Sequence, residues 1–376
     1  MISAPPALFQ KTRRDSTAPP RQWPFVSVVV PVRNEAAFIR GTLEQLLNQE
    51  YDPRRFEVLV ADGRSDDATR EIVRAMQERH PNLRLLDNPR CLSSAGRNAA
   101  IRTGRGDILV VVDGHCELNN PYYLRDLADA FDRSGADCIG RPQPLDVSNA
   151  TTVQKAVAAA RSSRLGHHPD SHIYSSAEGF VRPQSVAIAY RRTVFGAVGM
   201  FDESFDACED VEFNHRLDKA GFRCFFTPKV AVRYFPRGSL GGLFRQMIRY
   251  GRGRVRLLRK HPDTFTLPGF MPALFLLGLL VGPLLAVIGK WLAVAYLSGV
   301  AVYAATVLLV SCHIALRERS PRLLPWLPPV FGAIHCGAGA GILLEFLATI
   351  RIRIPLAASR WVHRARNLTR SAQPTS

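Results

Sequence analysis

Residues 107–112, Asp107-Ile108-Leu109-Val110-Val111-Val112, restrict the fold more than any other stretch of the chain. The apolar run is continuous and rich in β-branched side chains, so it reads as a strand covered on both faces. Such a strand belongs inside a mostly parallel sheet with helices on each side. The run stops at Asp113-Gly114-His115, which puts a carboxylate, a glycine and an imidazole at the carboxyl end of a central strand. In open α/β sheets that edge binds ligands. Carboxylate oxygen and imidazole nitrogen suit a divalent metal, and a metal suits a diphosphate. The plainer alternative is an Asp-Gly turn with His115 on the surface.

The pattern recurs along the first two thirds of the chain. Val26-Ser27-Val28-Val29-Val30 ends in Pro31-Val32-Arg33-Asn34-Glu35, and a helix follows with Phe38, Ile39, Leu43, Leu46 and Leu47 on one face. Residues 56–60 form a second strand ending in Ala61-Asp62-Gly63-Arg64-Ser65-Asp66-Asp67, where Asp66 or Asp67 can cap a helix over 68–79. A short strand over 83–86 and a helix opening at Ser93-Ser94-Ala95-Gly96-Arg97-Asn98 complete the first half. Alternating strands and helices specify a doubly wound α/β domain, with the polar clusters gathered on the edge that would hold a nucleotide. Neither a Gly-x-Gly-x-x-Gly after the first strand nor a Walker sequence is present, so a dinucleotide or P-loop site is unsupported.

Farther on, two helices flank a strand over 136–139. The polar segment 162–183, with His167, His168 and His172, is expected as a solvated loop. A strand over 186–189 and a short helix over 192–198 follow. Glu209-Asp210 then opens a helix, where the dipole favours negative charge, with Val211, Phe213 and Leu217 turned inward.

The formal net charge is +17, and this charge needs a partner. No zinc-finger spacing, RNA-binding signature or basic zipper occurs, so no nucleic acid partner is expected. The seven cysteines are scattered and include no Cys-x-x-Cys, which fits a reducing, cytosolic setting. Residues 1–24 are polar, basic and Pro-rich, and read as a disordered leader. Residues 239–262 are a basic amphipathic stretch, with Leu240, Leu243, Phe244, Met247 and Ile248 on one helical face and Arg245, Arg249, Arg252, Arg254, Arg256, Arg259 and Lys260 supplying charge. Such a helix lies against membrane lipids or holds an anionic substrate.

The apolar excess lies after residue 267. Segments 267–289 and 291–316 are each long enough to span a bilayer. Segment 330–350 is a third candidate, weakened by His335, Glu345 and its glycines. Arg317, Arg319 and Arg322, and the basic tail 353–376, both belong on the cytosolic side by the positive-inside rule. A hairpin followed by a re-entrant or interfacial third segment satisfies that rule; three full crossings place the tail outside.

From residue 26 to 256 these motifs, in this order, resemble the family-2 inverting glycosyltransferases with the GT-A fold. The resemblance is closest to the glucosyltransferases of succinoglycan-type exopolysaccharide assembly. It implies a GT-A domain over 25–238 and a membrane region over 263–352. Pro31, Arg33 and Glu35 match the nucleotide-binding loop. Asp62 matches the acid that reads the base, although Ala61 and Arg64 replace two residues of that motif. Arg97 matches the Ala-Arg-Asn segment beside the nucleotide. Asp113-Gly114-His115 stands in place of the Asp-x-Asp metal motif. Glu209-Asp210 matches the acidic pair whose second member is the catalytic base. Gln246, Arg249, Tyr250 and Arg252 match the acceptor or diphosphate segment.

The implied reaction moves a hexose, glucose in the nearest resemblance, from a UDP-sugar to a polyprenyl-diphosphate-linked saccharide. It implies a multi-pass protein of the cell inner membrane with its catalytic domain in the cytoplasm, and a divalent metal, Mn or Mg. His115 shifts that preference toward manganese, since imidazole suits magnesium poorly. The alternatives are a polyprenyl-phosphate glycosyltransferase and a non-catalytic membrane scaffold that keeps the fold.

Overall fold

A computed structural model describes residues 23–167 and 172–370. The expected leader up to residue 22, His168 and residues 371–376 lie outside the described residues. Trp23 and Pro24, assigned to that leader, are instead tied to the domain: their carbonyls accept hydrogen bonds from Arg55 and from the Tyr51 hydroxyl.

The first half alternates as expected: β1 (Val26–Val32), α1 (Ile39–Leu47), β2 (Phe56–Asp62), α2 (Thr69–Gln77), β3 (Leu83–Asp87), α3 (Ser93–Thr103) and β4 (Ile108–Val111). The second half runs β5 (Cys116–Glu117), α4 (Tyr123–Ser134), β6 (Cys138–Gly140), α5 (Thr152–Arg161), β7 (Gly179–Val181), β8 (Ala187–Arg191), α6 (Thr193–Val198), α7 (Glu209–Lys219), β9 (Cys224–Phe226) and β10 (Arg233–Tyr234). Eight strands form one mostly parallel sheet in the order β3-β2-β1-β4-β8-β6-β9-β7, and β10 pairs with β5 in a small ribbon. The strands β1 to β4 and β6 run the same way, so their carboxyl ends share one edge.

The apolar run at β4 divides by alternate residues. Ile108, Val110 and Val112 face α1 and α4, while Leu109 and Val111 face α3 and α7. Period-2 alternation therefore operates inside a run that shows none in its composition, because both faces are dry. Behind the second face, Tyr190, Phe195, Phe201 and Phe213 pack edge-on and stacked. Two expected core residues differ. Phe38 precedes α1 and is exposed, stacking on Phe235 instead. Val211 is only half-buried.

The C-terminal third is α8 (Leu240–Lys260), α9 (Leu267–Ile288), α10 (Lys290–Arg317) and α11 (Leu327–Arg370). Three stretches, Leu267–Ile288, Lys290–Arg317 and Leu327–Thr349, are long and apolar enough to cross a membrane. The apolar face of α8 is not left for lipid. Leu243 and Met247 are buried with Val330, Phe331 and Ile334 of α11 and with Ala156, Val157 and Ala160 of α5.

The features that made the third segment look weak are its packing devices. A Cβ on Gly341 would lie 2.2 Å from the Ile248 carbonyl oxygen, and one on Gly251 would lie 2.3 Å from that of Ala338. Small residues thus bring the α8 and α11 backbones into contact. Glu345 pairs with Arg256, and His335 meets the Tyr303 hydroxyl and the Leu165 carbonyl. Of the most apolar window of α11, 44% is buried inside the protein, against 11% and 6% for α9 and α10. The expected re-entrant turn is not found, because α11 is unbroken over Leu327–Thr349.

Candidate active site

One cavity of about 310 Å³ opens where the strand ends meet α7 and α8. Asp113, His115, Arg97, Glu209, Asp210, Gln246, Arg249 and Tyr250, all singled out from the sequence, line it together. They arrive from four separate parts of the fold. Gly114 lets the β4 end approach β1 closely, since a Cβ there would lie 2.7 Å from Val32 Cγ1.

Asp113 and His115 are held from behind. The Tyr234 hydroxyl donates to Asp113 Oδ2 at 2.8 Å, and His115 Nδ1 lies 2.9 Å from Glu35 Oε1. Burial works to raise the Asp113 pKa, but Arg97, His115 and the Tyr234 bond hold it below the usual carboxylate range. Burial likewise works to lower the His115 pKa, and Glu35 and Asp113 overcome it, so the imidazole is more basic than usual.

The acid pair is set by a strained residue. Cys208, just before α7, has φ of 63°, in the left-handed region, and offers no side-chain cap. Glu209 pairs with buried Arg97 at 3.2 Å. Asp210 accepts a hydrogen bond from the Val211 amide at 2.8 Å. Burial, and then the Glu209 charge, push the Asp210 pKa above its ordinary value. That is the direction a general base working near neutrality needs.

The segment before the pair rests on α8. A Cβ on Gly253 would lie 2.7 Å from Cys208 Sγ and 2.8 Å from the Ala207 oxygen. Gly253→Ala gains about 1 kcal/mol of helix propensity but overpacks this seat, at about 1–3 kcal/mol. We expect a turnover loss with little change in melting temperature, checked by steady-state kinetics beside a thermal melt in detergent.

Five expected site residues do not line the cavity. Pro31 pairs with Ala61 in the sheet, and Arg33 is exposed at the β1 end. Glu35 acts one layer back, through His115. Asp62 is fully buried and accepts from Ser65 and from Arg70, the latter at 2.7 Å. Arg252 turns to α11, its Nε 3.6 Å from Glu345 Oε2.

The cavity also holds residues the sequence reading passed over. Arg141 is 1% exposed, donates to the Val111 carbonyl, and has a buried Nε with no hydrogen-bond partner. A charged residue directly after β6, on the shared edge, was the available signal. Arg161, Arg237 and Tyr174 add to the wall. Tyr174 belongs to the segment expected as a solvated loop, which instead folds back, its Ile173 carbonyl accepting from the Gln143 amide.

A carboxylate able to take a proton stands across one cavity from cations able to hold a departing anion. The cavity sits at the sheet edge that seats nucleotides. Sugar transfer from a nucleotide donor asks for this combination, and the GT-A glycosyltransferases are the class built around it. The chain belongs to family 2 of these enzymes: residues 20–253 match the family described as "Glycosyltransferase like family 2".

It is 36% identical over 296 residues to the succinoglycan biosynthesis protein ExoA of Rhizobium meliloti (strain 1021), covering 78% of this chain and 87% of that protein. It is 28% identical to the glycosyltransferase AglE of Haloferax volcanii over 62% of this chain and 74% of that one. In fold it is similar to the mannosyltransferase PcManGT from Pyrobaculum calidifontis, solved in complex with GDP-Man and Mn2+. The TM-score is 0.56 at 22% identity, covering 89% of this chain and 91% of the other.

Proposed function

We propose that this glycosyltransferase moves a hexose, with inversion, from a UDP-sugar to a polyprenyl-diphosphate-linked saccharide during exopolysaccharide or envelope glycan assembly. The reading rests above all on one observation: the acid pair and Gln246, Arg249 and Tyr250 line a single cavity whose wall, α8, is packed on an apolar α11. A lipid-linked acceptor has to reach such a cavity from a membrane. The 36% identity to a succinoglycan biosynthesis protein supports the same acceptor class. The helices α9 and α10 pack together, and Leu323 just beyond them is buried with Leu243 of α8, which keeps Arg317, Arg319 and Arg322 near the side of α8 and fits a catalytic domain facing the cytoplasm at a bacterial inner membrane.

In the proposed reaction Asp210 takes the proton from the acceptor hydroxyl as that oxygen attacks the anomeric carbon. Arg97 and Glu209 fix the position of the base. Arg249, with Arg141, Arg161 and Arg237, balances charge on diphosphate oxygens.

The donor set at the β4 end fits a divalent metal: Asp113 has a second carboxylate oxygen and His115 a second ring nitrogen beyond the atoms engaged by Tyr234 and Glu35. A bound metal would supply Lewis-acid stabilisation of the leaving diphosphate. Glu35 would orient the ligating imidazole. Glu35→Ala is expected to raise the manganese concentration for half-maximal activity by about 10–100-fold, read by titrating metal into EDTA-stripped protein.

The function is tested with purified protein in detergent, manganese or magnesium, and a panel of UDP- and GDP-sugars. UDP release that depends on an added lipid-diphosphate-saccharide is the expected result. Transfer to bare polyprenyl phosphate would change the acceptor class. Silence across the panel, with no nucleotide binding, would favour a scaffold.

A further inference from the structure

Away from the cavity, the second half of α7 meets the turn between α8 and α9. His215 lies on α7, and His261 and Asp263 lie in the turn. One ligand atom from each of the three falls within 4.8 Å of the other two. His215 Nε2 is 3.2 Å from Asp263 Oδ2, yet it is buried and makes no aligned hydrogen bond. Two ligands on one tetrahedral zinc, at bonds of roughly 2.0–2.1 Å, stand about 3.3 Å apart. The His215–Asp263 spacing is that of two such ligands. The two imidazole rings lie 4.7 Å apart between centroids.

The surroundings supply a second layer. Gln184 Nε2 lies 3.2 Å from His215 Nδ1. Turning that amide by 180° would set its oxygen against the ring to accept the Nδ1 proton, leaving the Nε2 lone pair free for a metal. Glu212 Oε1 lies 2.9 Å from His261 Nε2 and orients that ring. Lys219 Nζ, 3.3 Å from Asp263 Oδ2, is the cation a metal would displace.

We propose that His215, His261 and Asp263 bind zinc, with water completing the coordination. Two imidazoles and a carboxylate favour zinc over magnesium or calcium. The site is separate from Asp113 and His115, and its role is structural. It clamps the helix that begins with Glu209 and Asp210 to the turn leading into α9.

The test uses the full-length protein in detergent, dialysed free of loose metal. Zinc content is measured directly, and cobalt is titrated in for its intense visible bands in a tetrahedral site. We expect a single tightly held zinc, tetrahedral cobalt bands, and a melting temperature that rises with zinc. His261→Asn should lose all three, and His115→Ala should keep them. Asp263→Asn, at a half-exposed turn residue, provides a second variant should His261→Asn fail to fold. The proposal is overturned by a chain that takes up no zinc and gives no such bands, which would leave an ion-pair cluster only. It is equally overturned by a metal equivalent that survives the His261 and Asp263 changes or disappears with His115.

Discussion

Asp210→Asn should reduce turnover by about 10²-fold or more and leave donor affinity unchanged. Asparagine keeps the shape of the side chain and can still accept the Val211 amide bond that holds Asp210 at the start of α7. It cannot take a proton. Turnover and UDP-sugar binding, measured side by side, separate the two effects. Near-normal turnover would mean another group is the base. The unsubstituted enzyme carries its own signature. Because burial and Glu209 raise the Asp210 pKa, activity should be full above that raised value and fall as pH drops through it. The residual activity of the asparagine variant should lack this acid limb.

Arg97→Met should have the next largest effect, on stability and pH profile together. Arg97 and Glu209 pair with side chains 10% and 9% exposed, so removing the cation strands a buried carboxylate. Breaking a buried pair from one side costs about 3–5 kcal/mol, which a thermal melt would register plainly. Arg97 also lowers the Asp210 pKa against the stronger effect of burial. Without it the acid limb of the rate profile should move to higher pH. Adding Glu209→Gln removes the stranded charge and should restore much of the lost stability. If neither the melt nor the limb responds, Arg97 is not what balances the acid pair.

Those two residues also illustrate what the sequence discloses. Glu209-Asp210 opens a helix and sits beside a recognisable order of motifs, so its place could be read directly. So could β4, since an unbroken apolar run has few homes outside a buried strand. The partner of Glu209 could not be read, because Arg97 meets it only once α3 and α7 lie against the same face of the sheet. Tyr234 reaches Asp113 through the two-residue strands β5 and β10, too short to announce themselves by periodicity. Asp62 shows another limit: its motif marks an acid at the end of β2, but not that Arg70 and Ser65 would meet it there. For α8, an amphipathic pattern states that one face will be covered but not by what. Here the cover is another helix, and the glycines that lowered the apparent apolarity of α11 are its points of contact.

That contact bears on how such an enzyme can be taken apart and recombined. Gly253 seats the residues before the acid pair, while Gly251, two positions earlier, seats α11. One helix is thus a part of both the catalytic unit and the membrane unit, and a cut at residue 238 separates neither cleanly. Chimaeras that exchange membrane regions between relatives should work when α8 travels together with a matching α11. A swap that joins a foreign α11 to this α8 would disturb the acid pair without altering any residue of the cavity.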